Sequence, residues 1–207
     1  MTLADSQAEA PDLRDGRRFM HAIEYSLRWL EINAEAIDRL NVYPVPDGDT
    51  GTNMVLTLRA AVREATENPS DNVDVVAANL ARGALLGARG NSGVILSQII
   101  RGLADGLDGH REFGISEFSL ALERAYQVGY KAVTNPVEGT ILTVARDAGE
   151  AAQAAQAQVE SVEELIAQVV DATRESVANT PNLLDVLAEA GVSADRVGDL
   201  RAAGVVA

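Results

Sequence analysis

Asn41-Val-Tyr-Pro-Val-Pro-Asp47-Gly48-Asp49-Thr50-Gly51-Thr52-Asn53-Met54 is the stretch whose reading decides the fold. Pro44 disfavours helical geometry in Tyr43, so a helix arriving from the N-terminal side must end before the Tyr43-Pro44 pair. Pro44 and Pro46 hold the segment extended and reduce the entropy lost in ordering it. Behind them, from Asp47 to Asn53, two carboxylates, two hydroxyls, an amide and two glycines fall within seven residues. A helix resumes near Thr52 with Met54, Leu58, Ala61, Val62 and Ala65 on one face. The stretch is therefore a chemically dense loop between two amphipathic helices.

The same alternation continues outward. Asp15 to Leu40 reads as a helix with Phe19, Ile23, Leu27 and Leu30 at helical spacing, and with Trp29 and His21 as structural residues. Asn68-Pro69-Ser70 ends the helix after the loop. Val73 to Leu86 and Val94 to Leu107 read as helices around Gly87-Ala88-Arg89-Gly90-Asn91-Ser92-Gly93. A polar connection carrying His110 at the surface leads to a helix from Ser116, its expected cap, to Val133. After Thr134-Asn135-Pro136-Val137-Glu138-Gly139-Thr140 come helices at Ile141 to Gln158 and Ser161 to Ala178. Glu164 completes a capping box with Ser161, and Val162, Leu165, Val169 and Ala172 form a core stripe. Thr180-Pro181-Asn182 is expected to cap a short helix through Ala190, with proline at its first position. With seven or eight helices and no convincing strand, the fold class is all-α. Residues 1–12 read as a disordered leader and 13–207 as one helical domain. The apolar Ala202 to Ala207 lack a stop signal, which reads as a fragment of a longer chain cut near a domain boundary.

Composition agrees with this plan. The 207 residues suffice for one large domain or two small ones. Apolar residues make up 47% but aromatics only 4%, which favours closely packed helices over a β-sandwich. A formal charge of −14 argues against nucleic acid or an anionic membrane surface as partner. Divalent cations still allow such a protein to bind ATP, by bridging carboxylates to phosphates. Of the 17 basic residues only Lys131 is a lysine. The absence of cysteine excludes disulfides, thiolate metal sites and cysteine nucleophiles. No apolar run approaches the roughly 20 residues needed to span a bilayer, and Met1 to Pro11 lack an apolar signal region. The expected location is the cytoplasm, without membrane insertion.

Asp47 and Asp49 lie two apart in a segment expected to be extended, so both side chains can point the same way. Such a pair repels unless a cation sits between. Oxygen ligands without histidine or thiol fit Mg²⁺ or Ca²⁺ better than zinc, and Asn41 offers a further oxygen. A turn with helix capping by Thr50 or Thr52 explains the same residue types, and the loop alone does not choose. An EF-hand fails on spacing, because Leu58 stands where the bidentate glutamate belongs. Thr50-Gly51-Thr52-Asn53 opens a helix whose N–H groups would face an anion. Gly90-Asn91-Ser92 repeats that arrangement without the lysine of a Walker loop, and Gly139-Thr140 gives a third helix start. Arg89, Lys131 and Arg146 near these loops read as solvated charges rather than phosphate ligands.

At these three loops the sequence resembles a known family. Asn41 to Met54, Gly87-Ala-Arg-Gly-Asn-Ser-Gly-Val-Ile-Leu-Ser97 and Tyr130-Lys-Ala-Val-Thr-Asn-Pro-Val-Glu-Gly-Thr-Ile-Leu142 together look like the nucleotide-binding domain of the bacterial fatty acid kinase A subunit. That domain is similar to the L subunit of dihydroxyacetone kinase. The likeness spans roughly Arg14 to Ala190, with support from Thr180-Pro-Asn-Leu-Leu-Asp-Val-Leu-Ala-Glu-Ala-Gly191. It implies an up-and-down barrel or bundle of about eight helices with ATP at one end. It implies Mg²⁺ held by Asp47 and Asp49, and nucleotide contacts from Thr50–Asn53, Gly90–Ser92 and Gly139-Thr140. The third aspartate of the dihydroxyacetone kinase pattern falls at Val42, beside Asn41. The family usually continues past a Gly-Val-Val sequence into an Asp-Ser-Gly-Gly type of motif, whereas here the chain stops at Gly204-Val-Val-Ala207.

The leading expectation is an ATP-dependent kinase domain that phosphorylates the carboxylate of a fatty acid presented by a carrier protein. Its partners would be that carrier, the remaining domains of a longer chain, and a second copy in a homodimer. No side chain must act as general base, because a carboxylate acceptor is already ionised. The alternatives are a dihydroxyacetone-type small-molecule kinase subunit, an Asp-x-Asp-Thr phosphatase with Asp47 as nucleophile, and a non-catalytic nucleotide or metal-binding helical module.

Overall fold

The computed structural model describes residues 14–192; the expected leader at 1–12 and the Gly204-Val-Val-Ala207 end lie outside them. The chain runs β1 (Arg14–Asp15), α1 (Gly16–Arg39), α2 (Thr50–Glu67), α3 (Val73–Gly87), α4 (Gly90–Leu107), β2 (Glu112–Phe113), α5 (Ile115–Lys131), α6 (Ile141–Ala155), α7 (Val162–Leu183) and α8 (Asp185–Glu189). This is an all-α up-and-down bundle in which each long helix packs on its chain neighbours. Residue pairs such as Gly102 with Ala125 and Gly106 with Ala121 show the antiparallel sense. Four links therefore gather at one end: 40–49, 88–89, 132–140 and Leu184.

At the opposite end a two-residue antiparallel ladder, Arg14 opposite Phe113 and Asp15 opposite Glu112, adds the strand that hydrophobic patterning does not reveal. A two-residue strand is too short for alternation to show. Its register seats Phe113 edge-on to Phe19, with ring centroids 5.7 Å apart at 78°, and 5.5 Å from Phe118. All three phenylalanines thus close the end of the bundle away from the loops.

The expected apolar faces do form the core. Leu58, Ala61 and Ala65 of α2 pack with Phe19 and Leu27 of α1 and with Val76, Leu80 and Ala84 of α3. A second cluster joins Ala152 and Ala155 of α6 to Leu165 and Val169 of α7. A cavity of about 20 Å³ inside the first cluster is lined by apolar groups including Phe19, Leu58 and Leu80. It has room for about one water and offers that water no polar partner, so it is a packing defect rather than a ligand site. Outside the core, His21 is exposed and Trp29 is 37% exposed.

Helix ends show why several boundaries differ from expectation. Asp15 caps α1 through the Arg18 N–H at 2.9 Å, and Ser161 caps α7 through the Glu164 N–H at 3.1 Å. Glu164 accepts from the Glu160 N–H at 2.8 Å, one residue ahead of the cap, so the expected capping box forms only its Ser161 half. α5 starts a residue early because the Gly114 N–H is accepted by Glu117 at 2.8 Å, which leaves Ser116 inside the helix. Thr180-Pro181-Asn182 does not open a helix; it lies in the last turn of α7. Proline there deprives the Val177 carbonyl of its usual helical donor, and the Thr180 hydroxyl supplies one instead at 2.8 Å. The break falls at Leu184, whose backbone is extended (φ −135°, ψ 98°), and α8 follows.

Candidate functional site

The long stretch from Asn41 to Asp49 is pinned at several points. The Asn41 amide donates to the Asp47 carboxylate at 2.7 Å, and the Asp47 N–H turns back to the Val45 carbonyl at 2.9 Å. Gly48 has φ +67°, so the segment turns between the two aspartates rather than running extended. Asn41 offers Asp47 its N–H rather than its oxygen to a shared centre. Asp47 is exposed and Asp49 half-buried, and among the described residues neither forms an ion pair with a basic side chain. Among those residues, no three carboxylates or histidines converge into a preformed metal cluster.

Thr50 to Asn53 behave differently from expectation. α2 begins at Thr50, and its first N–H groups are not free. Asp38, in the last turn of α1, accepts the Gly51 N–H at 2.6 Å and the Thr52 N–H at 3.1 Å through Oδ1. Its Oδ2 accepts the Thr52 hydroxyl at 2.7 Å. The Asn53 N–H returns to the Asp49 carbonyl at 2.8 Å. A carboxylate at this positive helix end does the work expected of a phosphate. Asp38 carries no motif signature; its donors lie 13 and 14 residues away, and only the antiparallel α1–α2 pairing brings them together.

The second loop shrinks to Ala88 and Arg89, and α4 starts at Gly90, four residues earlier than the glycine spacing suggests. Gly90 (φ +55°) faces Asn53: a Cβ built there would lie 2.3 Å from the Asn53 Nδ2. The Ser92 hydroxyl lies 3.4 Å from the Thr50 hydroxyl, and Gly93 presses on Thr57. The starts of α2 and α4 are thus brought together. Among the described residues no side chain caps α4, and Asn91 is exposed. Its first-turn N–H groups have no carbonyl within the helix to bond to, so they can serve an outside acceptor. Arg89 folds its guanidinium onto the Ala88 carbonyl at 3.3 Å.

Thr140 caps α6, accepting the Leu142 N–H at 3.3 Å, and Gly139 (φ +79°) is buried against Thr180 and Leu184. Beneath this loop lies a polar network that the sequence reading missed. Glu138 accepts from the Tyr130 hydroxyl at 3.0 Å, the Thr143 hydroxyl at 2.8 Å and Arg146 at 2.9 Å. Arg146 also holds Asp147 at 3.0 Å, and Asp147 accepts the Ser176 hydroxyl of α7 at 2.5 Å. Burial pushes the Tyr130 hydroxyl pKa up, and its bond to Glu138 adds to that. Burial also pulls Glu138 upward, but its Thr143, Tyr130 and Arg146 donors together hold it below the usual carboxylate range. Burial works against the charge on Arg146, yet Asp147, Tyr130 and Glu138 together hold it more firmly protonated than usual. Arg146 is therefore an internal tie between α6 and the third loop, not a solvated charge. Lys131 ends α5, exposed, where a cation complements the helix dipole.

The three loops share one end of the bundle, and the first two touch. The phosphatase reading needs Asp47 at the end of a buried parallel strand; the described residues hold only the antiparallel ladder at the far end. None of the helices among the described residues is long and apolar enough to cross a membrane.

Comparison with known proteins bears on the same end of the molecule. The family model described as the DAK2 domain matches residues 44–206. The chain is 47% identical over 178 residues to an uncharacterized protein of Staphylococcus epidermidis and 45% identical over the same length to Protein YloV of Bacillus subtilis. An uncharacterized protein of Staphylococcus aureus is 44% identical. Each alignment covers 86% of this chain but 32% of the relative, so the chain spans about a third of the length of these proteins.

Proposed function

Because the chain belongs to the DAK2 domain family, we propose that the loop end of the bundle binds ATP with Mg²⁺ and serves a kinase. The observation that carries this reading is the Asp47–Asp49 pair. Two carboxylates, matched by no basic side chain among the described residues, stand at the loop end where the starts of α2 and α4 meet. Drawn onto one divalent cation, two carboxylates would lose their mutual repulsion, and an all-oxygen donor set suits Mg²⁺. Asp47 and Asp49 would hold the ion, with Asn41 orienting Asp47. The ion would neutralise charge on the transferring phosphoryl group.

The protein's own contribution is binding and orientation. With α2 capped by Asp38, the uncapped first turn of α4 at Gly90, Asn91 and Ser92 is the better-supported phosphate cradle. Thr50 and Asn53 border it, and Gly139-Thr140 lines the far side of the same end. In this reading Gly51 and Thr52 shape the metal loop more than they touch nucleotide. The acceptor we propose is the carboxylate of a fatty acid held by a separate carrier protein. Such an acceptor is ionised at neutral pH and needs no general base, which fits a site without a histidine. The remaining length found in the relatives would engage that carrier.

Isothermal titration calorimetry with ATP, with and without Mg²⁺, tests the binding step. Mg²⁺-dependent binding that disappears in the Asp47→Asn, Asp49→Asn double variant is the expected result. Absent binding, or binding indifferent to those substitutions, would overturn it. The 207 residues alone should turn over poorly; efficient ATP-dependent acyl phosphate formation without further domains would contradict the division of labour.

A further inference from the structure

α1 carries two apolar rows where a bundle helix needs one. Phe19, Ile23, Leu27 and Leu30 pack into the core. Ala22, Tyr25, Trp29 and Ile32 recur at intervals of three and four residues on the other side, the spacing of a seam between paired helices. Tyr25 is 69% exposed and Ile32 73%. The Arg28 guanidinium lies 5.7 Å from the Tyr25 ring centroid and steadies the ring on the helix surface. On neighbouring α2, Leu56 is 40% exposed, and Arg59 ties the two helices together through Glu31 at 3.1 Å.

Charge sets the same two helices apart. α1 holds four arginines against four acidic residues and α2 two against two, so the formal charge of −14 lies entirely outside them. Two copies of such an acidic chain repel across most of their surface and least across this face. Area is sufficient as well. Helices of 24 and 18 residues, about 11 Å across, present roughly 400 and 300 Å², close to the ~800 Å² that each partner gives to a stable interface. α1 alone would offer about half of that.

We propose that the outer face of α1 and α2 is an interface between two copies of this chain, with α1 packed antiparallel on its counterpart. Two-fold symmetry then sets Tyr25 opposite the partner's Ile32 and places Arg28 and Trp29 near the axis. Aromatic and arginine side chains in the middle of a contact are the residues that anchor interfaces.

Sedimentation equilibrium of the 207-residue chain across the micromolar range tests this. A monomer–dimer equilibrium with a micromolar dissociation constant is expected, weakened at least tenfold by Tyr25→Glu or Ile32→Glu. Val75→Glu, at a 41% exposed position on α3, should leave it unchanged. Both seam positions are exposed, so the variants should keep the wild-type circular dichroism and Tm. A monomer at every concentration, a dimer indifferent to both seam substitutions, or equal weakening by Val75→Glu overturns the proposal. Because the chain has no cysteine, mixing Tyr25→Cys with Ile32→Cys under mild oxidation reads the register directly. Disulfide-linked heterodimers should form in preference to either homodimer; faster homodimer formation would overturn the antiparallel arrangement.

Discussion

Replacing Gly51 by alanine tests how α1 and α2 create the loop end. A methyl built on Gly51 lies 2.3 Å from the Ala34 carbonyl oxygen, 2.8 Å from its Cα and 2.9 Å from its carbonyl carbon. All three are backbone atoms of α1, so no rotamer change relieves the clash. Ordinary contact is about 3.5–4.0 Å, and the two helices must move apart by about 1 Å to reach it. Overpacking of this kind costs about 1–3 kcal/mol. Alanine recovers about 0.5–1 kcal/mol of backbone entropy in a helix interior, and less in a first turn. The net expectation is a loss of about 2 kcal/mol, or a Tm lower by about 4–8 °C in a domain of this size. Circular dichroism during thermal and urea unfolding measures it. Because the obstruction is backbone, adding Ala34→Gly should not rescue the variant. An unchanged Tm, or rescue by Ala34→Gly, would refute the reasoning.

Three further outcomes follow from the loops. Asn at both 47 and 49 removes two carboxylates without ion-pair partners among the described residues, so stability without metal should stay within about 0.5 kcal/mol of wild type. Mg²⁺ with ATP at about 100 times Kd should stabilise wild type by about 2.7 kcal/mol and this variant not at all, read by the Tm shift. Glu138 binds its proton less tightly when folded, so its contribution is complete above the ordinary glutamate range and fades as pH falls through its lowered pKa. Urea unfolding at stepped acidic pH should therefore show a stability loss that Glu138→Gln flattens; equal slopes would count against the network. Thr180→Val leaves the Val177 carbonyl without its hydroxyl donor and should cost about 1 kcal/mol. A wild-type Tm in that variant would mean water serves the carbonyl equally well.

The helices were legible because their apolar residues recur at one spacing: Phe19, Leu27, Leu58, Ala61, Leu165 and Val169 are all in the core as read. The strand pair was not, since two residues carry no period. Glycines were the ambiguous letters. Gly51, Gly90 and Gly139 suggest close approach to a ligand in sequence, yet in the fold each is crowded by protein: Ala34, Asn53, and Thr180 with Leu184. The aspartate pair was visible as chemistry, but the turn at Gly48 was not. Asp38 and the Tyr130–Glu138–Arg146 network stayed hidden for one reason. Their partners are set by which helices stand side by side, and local pattern carries no record of that.

The close helix contacts also shape how this protein can change by mutation. Gly83 meets the backbone at Ala60 and Ala61, Gly102 meets Arg124 and Ala125, and Gly106 meets Ala121, each at 2.4 to 2.8 Å from a built Cβ. A core of large side chains is damaged chiefly by truncation, which leaves voids. Along these seams there is little left to truncate, and every single-base route away from glycine adds atoms where none fit. Drift at these positions should therefore be purged in one direction only. Variation would collect instead on exposed faces that meet no partner. A deep mutational scan of the domain would then map its helix crossings as narrow troughs of intolerance at glycine and alanine, beside those at the buried leucines.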